Sequence, residues 1–219
     1  MTAQRPDPLP PEAGLALAWS PKKVRGPLST VFQLDRRLAR IVARTSEPML
    51  GQMRLAWWRD ALGTPIADRP RGDAVLDAIG EHWRGRETTL LAMIDGWEVL
   101  LTAEHLGPAE IDAFGAQRGA FFGALADDLS AETIARLATA GFRWALADAA
   151  AGVSDAGERA ALVEAGLARF GPDGALPRSL RGLAVLEALS RRALRRGGRP
   201  LMEGRSAPLV ALRAAIFLT

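Results

Sequence analysis

The sequence predicts an all-α fold, on three observations. Apolar residues recur every three or four positions in nearly every segment, runs that alternate apolar and polar residues as a half-buried strand would are missing, and Gly or Pro stands at the breaks. A chain of 219 residues, 48% hydrophobic and 24% charged, holds enough apolar material for one large core and reads as a single domain. Ten helices are expected, over 12–19, 24–44, 47–62, 70–83, 88–106, 109–128, 131–151, 155–169, 178–197 and 206–218. Four prolines and few apolar residues in 1–11 make that stretch a flexible tail ahead of a domain spanning 12–219.

The first helix follows that tail, and the second carries a stripe of Val31, Leu34, Leu38 and Ile41, with Asp35 beside it. The third opens with Ser46 and Glu47 ahead of Pro48 at a first-turn position and closes at Gly63. On it Leu50, Met53, Trp57 and Ala61 form one apolar stripe flanked by Arg54 and Trp58, which predicts tryptophans anchored in a core. In the fourth, Asp73, Asp77 and Glu81 at i, i+4, i+8 read as a solvated stripe. The fifth sets Leu90, Ile94, Trp97 and Leu101 opposite a polar face with Asp95 and Glu98, and Gly107 ends it. Pro108 opens the sixth, which closes on Asp127 and Asp128, an adjacent pair whose side chains diverge. Ser130 caps the seventh, Gly152 breaks it from the eighth, Gly171 follows the eighth, and FGPDGALP over 170–177 is the sharpest internal break before the last two helices. No internal repeat is evident.

Composition removes several function classes. No apolar run approaches the roughly 20 residues of a membrane span, and 1–11 lacks the basic-then-apolar layout of a secretory signal. Cysteine is absent, which removes disulfides and thiolate chemistry and fits a reducing, cytoplasmic location. The pI of about 10.4 overstates the basic character, since the net charge is only +3: of 28 basic residues two are lysines, and without Tyr or Cys almost nothing titrates between neutrality and the arginine range. Nucleic-acid binding gains little from it, because no basic cluster is interleaved with stacking aromatics. His82 and His105 have no companion ligands in sequence, so zinc is not expected, and Gly197-Gly198 lacks a phosphate-loop lysine. Arg191, Arg192, Arg195, Arg196 and Arg199 favour a helix C-terminus and also suit anionic headgroups, so peripheral membrane contact stays open.

Four stretches lie in order between 13 and 218: LAWSPKKVRGPLSTVFQLDRRLARI, EPMLGQMRLAWWRDAL, LLAMIDGWEVLL and LRGLAVLEALSRRAL. Together they resemble the squalene and phytoene synthase family, in its divergent bacterial branch and the related mitochondrial complex I assembly factor. The second is the most specific, similar to the family's Arg-Leu-x-Trp-Trp-Arg-x-x-Leu. The resemblance implies an isoprenoid-synthase-like helical bundle whose active members join two prenyl diphosphates head to head. That reaction ionises an allylic diphosphate in an apolar cavity, with Mg²⁺ seated by aspartates one helical turn apart on two opposed helices and arginines holding the diphosphate.

This chain departs from the pattern at both clamps. After Phe32 the acidic positions hold Arg36, Arg37, Leu38 and Arg40, leaving Asp35 alone, as a site remnant or one half of an interhelical salt bridge. The second clamp offers only Asp148 and Asp155, separated by Gly152, and in the third stretch the family's later aspartate aligns to Leu100, leaving Asp95 and Glu98. The expectation is therefore a non-catalytic family-like protein with no metal or cofactor. It binds a prenyl lipid or a protein partner, with a respiratory-complex assembly role by similarity and Arg54, Trp57, Trp58, Arg59 and Asp60 as the ligand or partner patch. The alternatives are an Mg²⁺-dependent prenyl diphosphate transferase using Asp35, Asp95, Glu98 and Asp148, and a helical interaction protein unrelated to prenyl chemistry.

Overall fold

The structure is a computed structural model that describes residues 8–45, 47–172 and 174–218. Residues 1–7 of the expected tail and the cap expected at Ser46 lie outside the described residues. Ten α-helices form among the described residues, with no strand: α1 (Pro11–Trp19), α2 (Lys22–Arg44), α3 (Pro48–Gly63), α4 (Ala74–His82), α5 (Glu87–Thr102), α6 (Pro108–Gly119), α7 (Ala131–Gly152), α8 (Ala156–Ala168), α9 (Arg181–Arg195) and α10 (Ala207–Phe217). None is long and apolar enough to cross a membrane. One core cluster runs from Ala13 in α1 to Ala215 in α10. Within it α5, α6 and α7 pack side by side, α2 and α3 flank α5, and α9 lies on α7 with α1 and α10 against its other sides.

Three expected boundaries move, each for a local reason. The fourth helix begins at Ala74 instead of residue 70, because Asp73 is its N-cap and accepts from the backbone N–H groups of Val75 at 2.9 Å and Leu76 at 3.1 Å. Asp73 also pairs with Arg37 at 3.1 Å, so it does not belong to a solvated stripe. The fifth helix stops at Thr102, short of 106. The sixth ends as an α-helix at Gly119 and tightens into a 3-10 turn over Ala120–Ala124, so the Asp127-Asp128 pair sits in a turn.

That sixth helix ends where its backbone meets α7. A Cβ on Gly119 would lie 2.3 Å from the carbonyl carbon of Gly141, and one on Gly141 would lie 2.2 Å from the carbonyl oxygen of Gly119. Only two residues without side chains allow this approach. It fixes the distance across which side chains of α6 reach α7.

The orientation of α3 departs from the expected stripe at Leu50, Met53 and Trp57, while Ala61 is buried as expected. Its buried residues are Gly51, Leu55, Trp58, Ala61 and Leu62, while Met49, Leu50, Met53 and Trp57 are 72%, 45%, 64% and 42% exposed. Both faces of this helix are apolar, so spacing alone does not select the inner one. Gly51 does: its bare Cα lets the helix close on α5, where a Cβ would stand 2.6 Å from Leu101 Cδ2. Of the two tryptophans only Trp58 is in the core, with Trp57 edge-on to it at 5.1 Å.

Candidate functional site

The centre of the bundle is built around a residue that the sequence reading passed over. Arg118 on α6 follows Ile111, Phe114 and Gly115 on the helix's buried face, so its guanidinium is carried into the core at 1% exposure. Its Nε donates to Asp35 Oδ1 at 2.8 Å and its Nη2 to Asp35 Oδ2 at 2.8 Å, the two-point fork that suits a carboxylate. Nη2 also donates to Asp148 Oδ2 at 2.6 Å, and Nη1 to the Ala145 carbonyl of α7 at 3.2 Å. The guanidinium carbon lies 4.6 Å from the ring centre of Trp97 and 4.5 Å from that of Trp144. Trp97 Nε1 in turn donates to Asp35 at 2.8 Å. Burial pulls the guanidinium's proton affinity down, but the charges and hydrogen bonds of Asp35 and Asp148 outweigh it and hold the affinity above arginine's ordinary value.

The other two acidic candidates meet a second arginine. Arg59 on α3 donates from Nε to Asp95 at 2.9 Å and from Nη2 at 2.6 Å, and Nη2 also binds Glu98. Burial lowers the proton affinity of Arg59, and the hydrogen bonds and charges of Glu98 and Asp95 more than restore it. Asp95 and Glu98 are therefore partners of α3 and not a free polar face. The expected patch divides the same way: Trp58 is buried, Arg59 turns to α5, and only Arg54, Trp57 and Asp60 are exposed, with Arg54 donating to Thr45 Oγ1 at 3.2 Å.

Thus Asp35 and Asp148 come together, as do Asp95 and Glu98, but each pair is joined through a guanidinium. Asp155 does not join them; it caps α8 by accepting from Glu158 N–H at 2.8 Å. These donors do not fit Mg²⁺. Both Asp35 oxygens already accept from a cation at hydrogen-bond distance, a divalent ion on the same oxygens would face that positive charge, and among the described residues no group of three or more His, Asp or Glu side chains is placed to hold a metal. His82 and His105 stand apart from these acidic pairs; the ring of His82 packs on Gly26 of α2.

The space beside Arg118 is small. A cavity of about 30 Å³ is lined by Glu12, Phe32, Asp35, Arg118, Trp144 and Asp148. That is one water's share of volume, against the hundreds of Å³ that an organic ligand fills. Aromatic rings crowd the space beside it, Phe32, Phe121, Phe122 and Trp144 meeting at centroid distances from 4.8 to 6.3 Å.

Glu12 of α1 faces the same cavity, and burial raises its carboxyl above the ordinary 4.5; its own backbone hydrogen bond lowers it part of the way, Asp148 raises it and Arg36 lowers it by less. The folded protein therefore holds this proton more tightly than the unfolded chain does, and stability declines as pH climbs above 4.5 through the folded value. Glu12→Gln should raise Tm over the parent at neutral pH and leave it unchanged at about pH 4, as measured by thermal melts across the range. A parent Tm that rises relative to Glu12→Gln between those pH values would contradict this.

Asp35 and Asp148 stand out in the sequence, and Arg118 carries only a weak signal. Arg118 in GAQRGAFF is a charge on an otherwise apolar stripe, flanked by small residues that bring helices close. The same signature marks Glu187, on the Leu183, Ser190, Leu194 face of α9, where it is 2% exposed and held by Arg136 and by Arg143 at 3.1 Å.

No curated protein and no solved structure matches the chain. Residues 12–112 do match the family model described as squalene/phytoene synthase, a stretch that includes Asp35, the double tryptophan, Asp95 and Glu98 and stops within α6 before Arg118. Over α1 to α5 and the opening of α6 the chain is thus similar to that family, and its all-α bundle is consistent with an isoprenoid-synthase-like fold.

Proposed function

We propose that this chain is a non-catalytic member of the squalene/phytoene synthase family that works by binding a protein partner. The observation that supports the reading is the Arg118 guanidinium on Asp35 and Asp148, a fixed cation on two carboxylates that a metal would otherwise need. Ionising an allylic diphosphate needs a divalent ion that can contact both protein and leaving group. An arginine whose donors are turned to two aspartates and a backbone carbonyl offers the diphosphate nothing equivalent. The cavity of about 30 Å³ beside it further favours a partner surface over a prenyl chain held in the core. The exposed Met49, Leu50, Met53 and Trp57 of α3 are the surface we assign to that partner. An assembly role in a respiratory complex, which the sequence resemblance suggests, is one form such binding takes.

Purified protein incubated with farnesyl or geranylgeranyl diphosphate and Mg²⁺ should release no pyrophosphate above the protein-free rate. Neither diphosphate should raise Tm, as a ligand of the folded state would. Metal-dependent turnover that disappears in Asp35→Asn or Asp148→Asn overturns the proposal and restores the transferase reading. A partner recovered by co-purification from the native source should be lost in Met53→Ser/Trp57→Ser, a variant exposed enough to leave the fold intact.

A further inference from the structure

A second charged region lies across the bundle, between α9 and α10. A groove of about 420 Å³ is lined by Arg191, Arg192, Arg195, Arg196, Arg213 and Val210. Residues 188–217 hold seven arginines and one acidic residue, Glu203. Elsewhere Arg37, Arg59, Arg69, Arg136 and Arg143 find carboxylates, while Arg86 and Arg159 donate to backbone carbonyls. Among the described residues no carboxylate pairs with Arg191, Arg195 or Arg213. Arg192 and Arg196 donate to the Glu203 backbone carbonyl at 2.8 and 3.1 Å, and Arg192 Nη1 is buried with no hydrogen-bond partner. Such a set of guanidiniums is a site for phosphate oxygens.

Beside the groove, α10 is inside out for a helix of a water-soluble surface. Its buried residues are Ala207, Ala211, Ala214 and Ala215, and its large ones point outward: Leu209 at 67% exposure, Leu212 at 46%, Ile216 at 59% and Phe217 at 63%. Leu209, Leu212 and Ile216 form one stripe at i, i+3, i+7, and Arg213 lies next to it. An apolar stripe edged by unpaired arginines is complementary to a surface that offers negative phosphates above hydrocarbon. A soluble phosphate would use the arginines and leave the stripe in water.

We propose that the α9–α10 face docks on an anionic phospholipid bilayer, the groove arginines taking lipid phosphates and the α10 stripe entering the headgroup region. This docking does not depend on whether the bundle turns over a substrate. The test is co-sedimentation of the full chain with vesicles of phosphatidylcholine alone and of phosphatidylcholine mixed with phosphatidylglycerol. Binding should appear only on the mixed vesicles. It should fall sharply between about 0.1 M and about 1 M salt, as the Debye length shrinks from about 10 to about 3 Å. Arg191→Gln/Arg195→Gln/Arg213→Gln should weaken it about 100-fold, and Leu209→Ser/Ile216→Ser at least about tenfold, with the circular dichroism melt of each unchanged. The salt dependence of the parent protein stands even where a variant fails to fold. Equal binding to both vesicles, or none to either, overturns the proposal. Calorimetric binding of inorganic pyrophosphate that the arginine variant abolishes, without vesicle binding, would reassign the groove to a soluble phosphate ligand. Self-association that Leu209→Ser/Ile216→Ser dissolves, without vesicle binding, would reassign the stripe to a second copy of the chain.

Discussion

Arg118→Gln should lower the free energy of unfolding by about 3–5 kcal/mol at neutral pH, the range for removing one member of a buried ion pair. For a chain of this size that is a fall in Tm of roughly 6–20 °C. The loss comes less from attraction forgone than from what stays behind: Asp35, 4% exposed, loses both guanidinium hydrogen bonds and retains the Trp97 N–H. Two comparisons isolate this cause. Lys23→Gln breaks a pair 3.8 Å apart whose side chains are 88% and 68% exposed, and should change nothing measurable. Arg118→Leu/Asp35→Leu/Asp148→Asn removes both sides together and should recover most of the loss, since an apolar replacement of a buried triad is commonly neutral or stabilising. Urea unfolding with unchanged m-values is the measurement. If Arg118→Gln lies within about 1 kcal/mol of the parent, the guanidinium is not what holds the two aspartates, and the non-catalytic reading loses its support.

Gly141→Ala carries the second large effect. The new methyl would start 2.2 Å from a backbone oxygen of Gly119, a neighbour that cannot rotate aside as a side chain can. The two helices must separate, and the Arg118 contacts to Ala145 and Asp148 lengthen with them. Overpacking of this kind costs about 1–3 kcal/mol and more where backbone is struck, against a gain of about 1 kcal/mol from alanine's helix propensity. Because backbone is struck the upper end of that cost applies, and a net loss of about 2 kcal/mol is expected. Gly14→Ala, in α1 with nothing within 4 Å of the new methyl, should be neutral or stabilising by about 0.5–1 kcal/mol. Equal behaviour of the two alanine variants would show that α6 and α7 are not in backbone contact.

The ten helices were legible because their spacing and breakers repeat the same physics in each segment, and the errors fell where a tertiary contact decides. Spacing alone starts α4 too early, because Asp73 looks alike as a first-turn acid and as a cap until its hydrogen bonds are seen. Spacing does not single out the inward face of α3, since Leu50, Met53 and Trp57 are as apolar as Leu55, Trp58 and Leu62; what selects between them is Gly51 against Leu101, a contact 50 residues distant. At the centre, Asp35 was marked by its place beside an apolar stripe, and Asp148 by its helix. Arg118 was not, because one arginine among many is ordinarily a surface residue, and only convergence of α2, α5, α6 and α7 gives it a role.

That convergence bears on how the chain reaches its native state. Four helices from distant parts of the sequence share one guanidinium, so none of them can settle into final register while that charge still carries its water. Docking any two early would strip solvent from the arginine or from Asp35 before the counterpart arrives. The contact is therefore expected to form late and together, and the amides of these four helices should exchange with deuterium at a common rate, through concerted opening, while those of α10 exchange sooner.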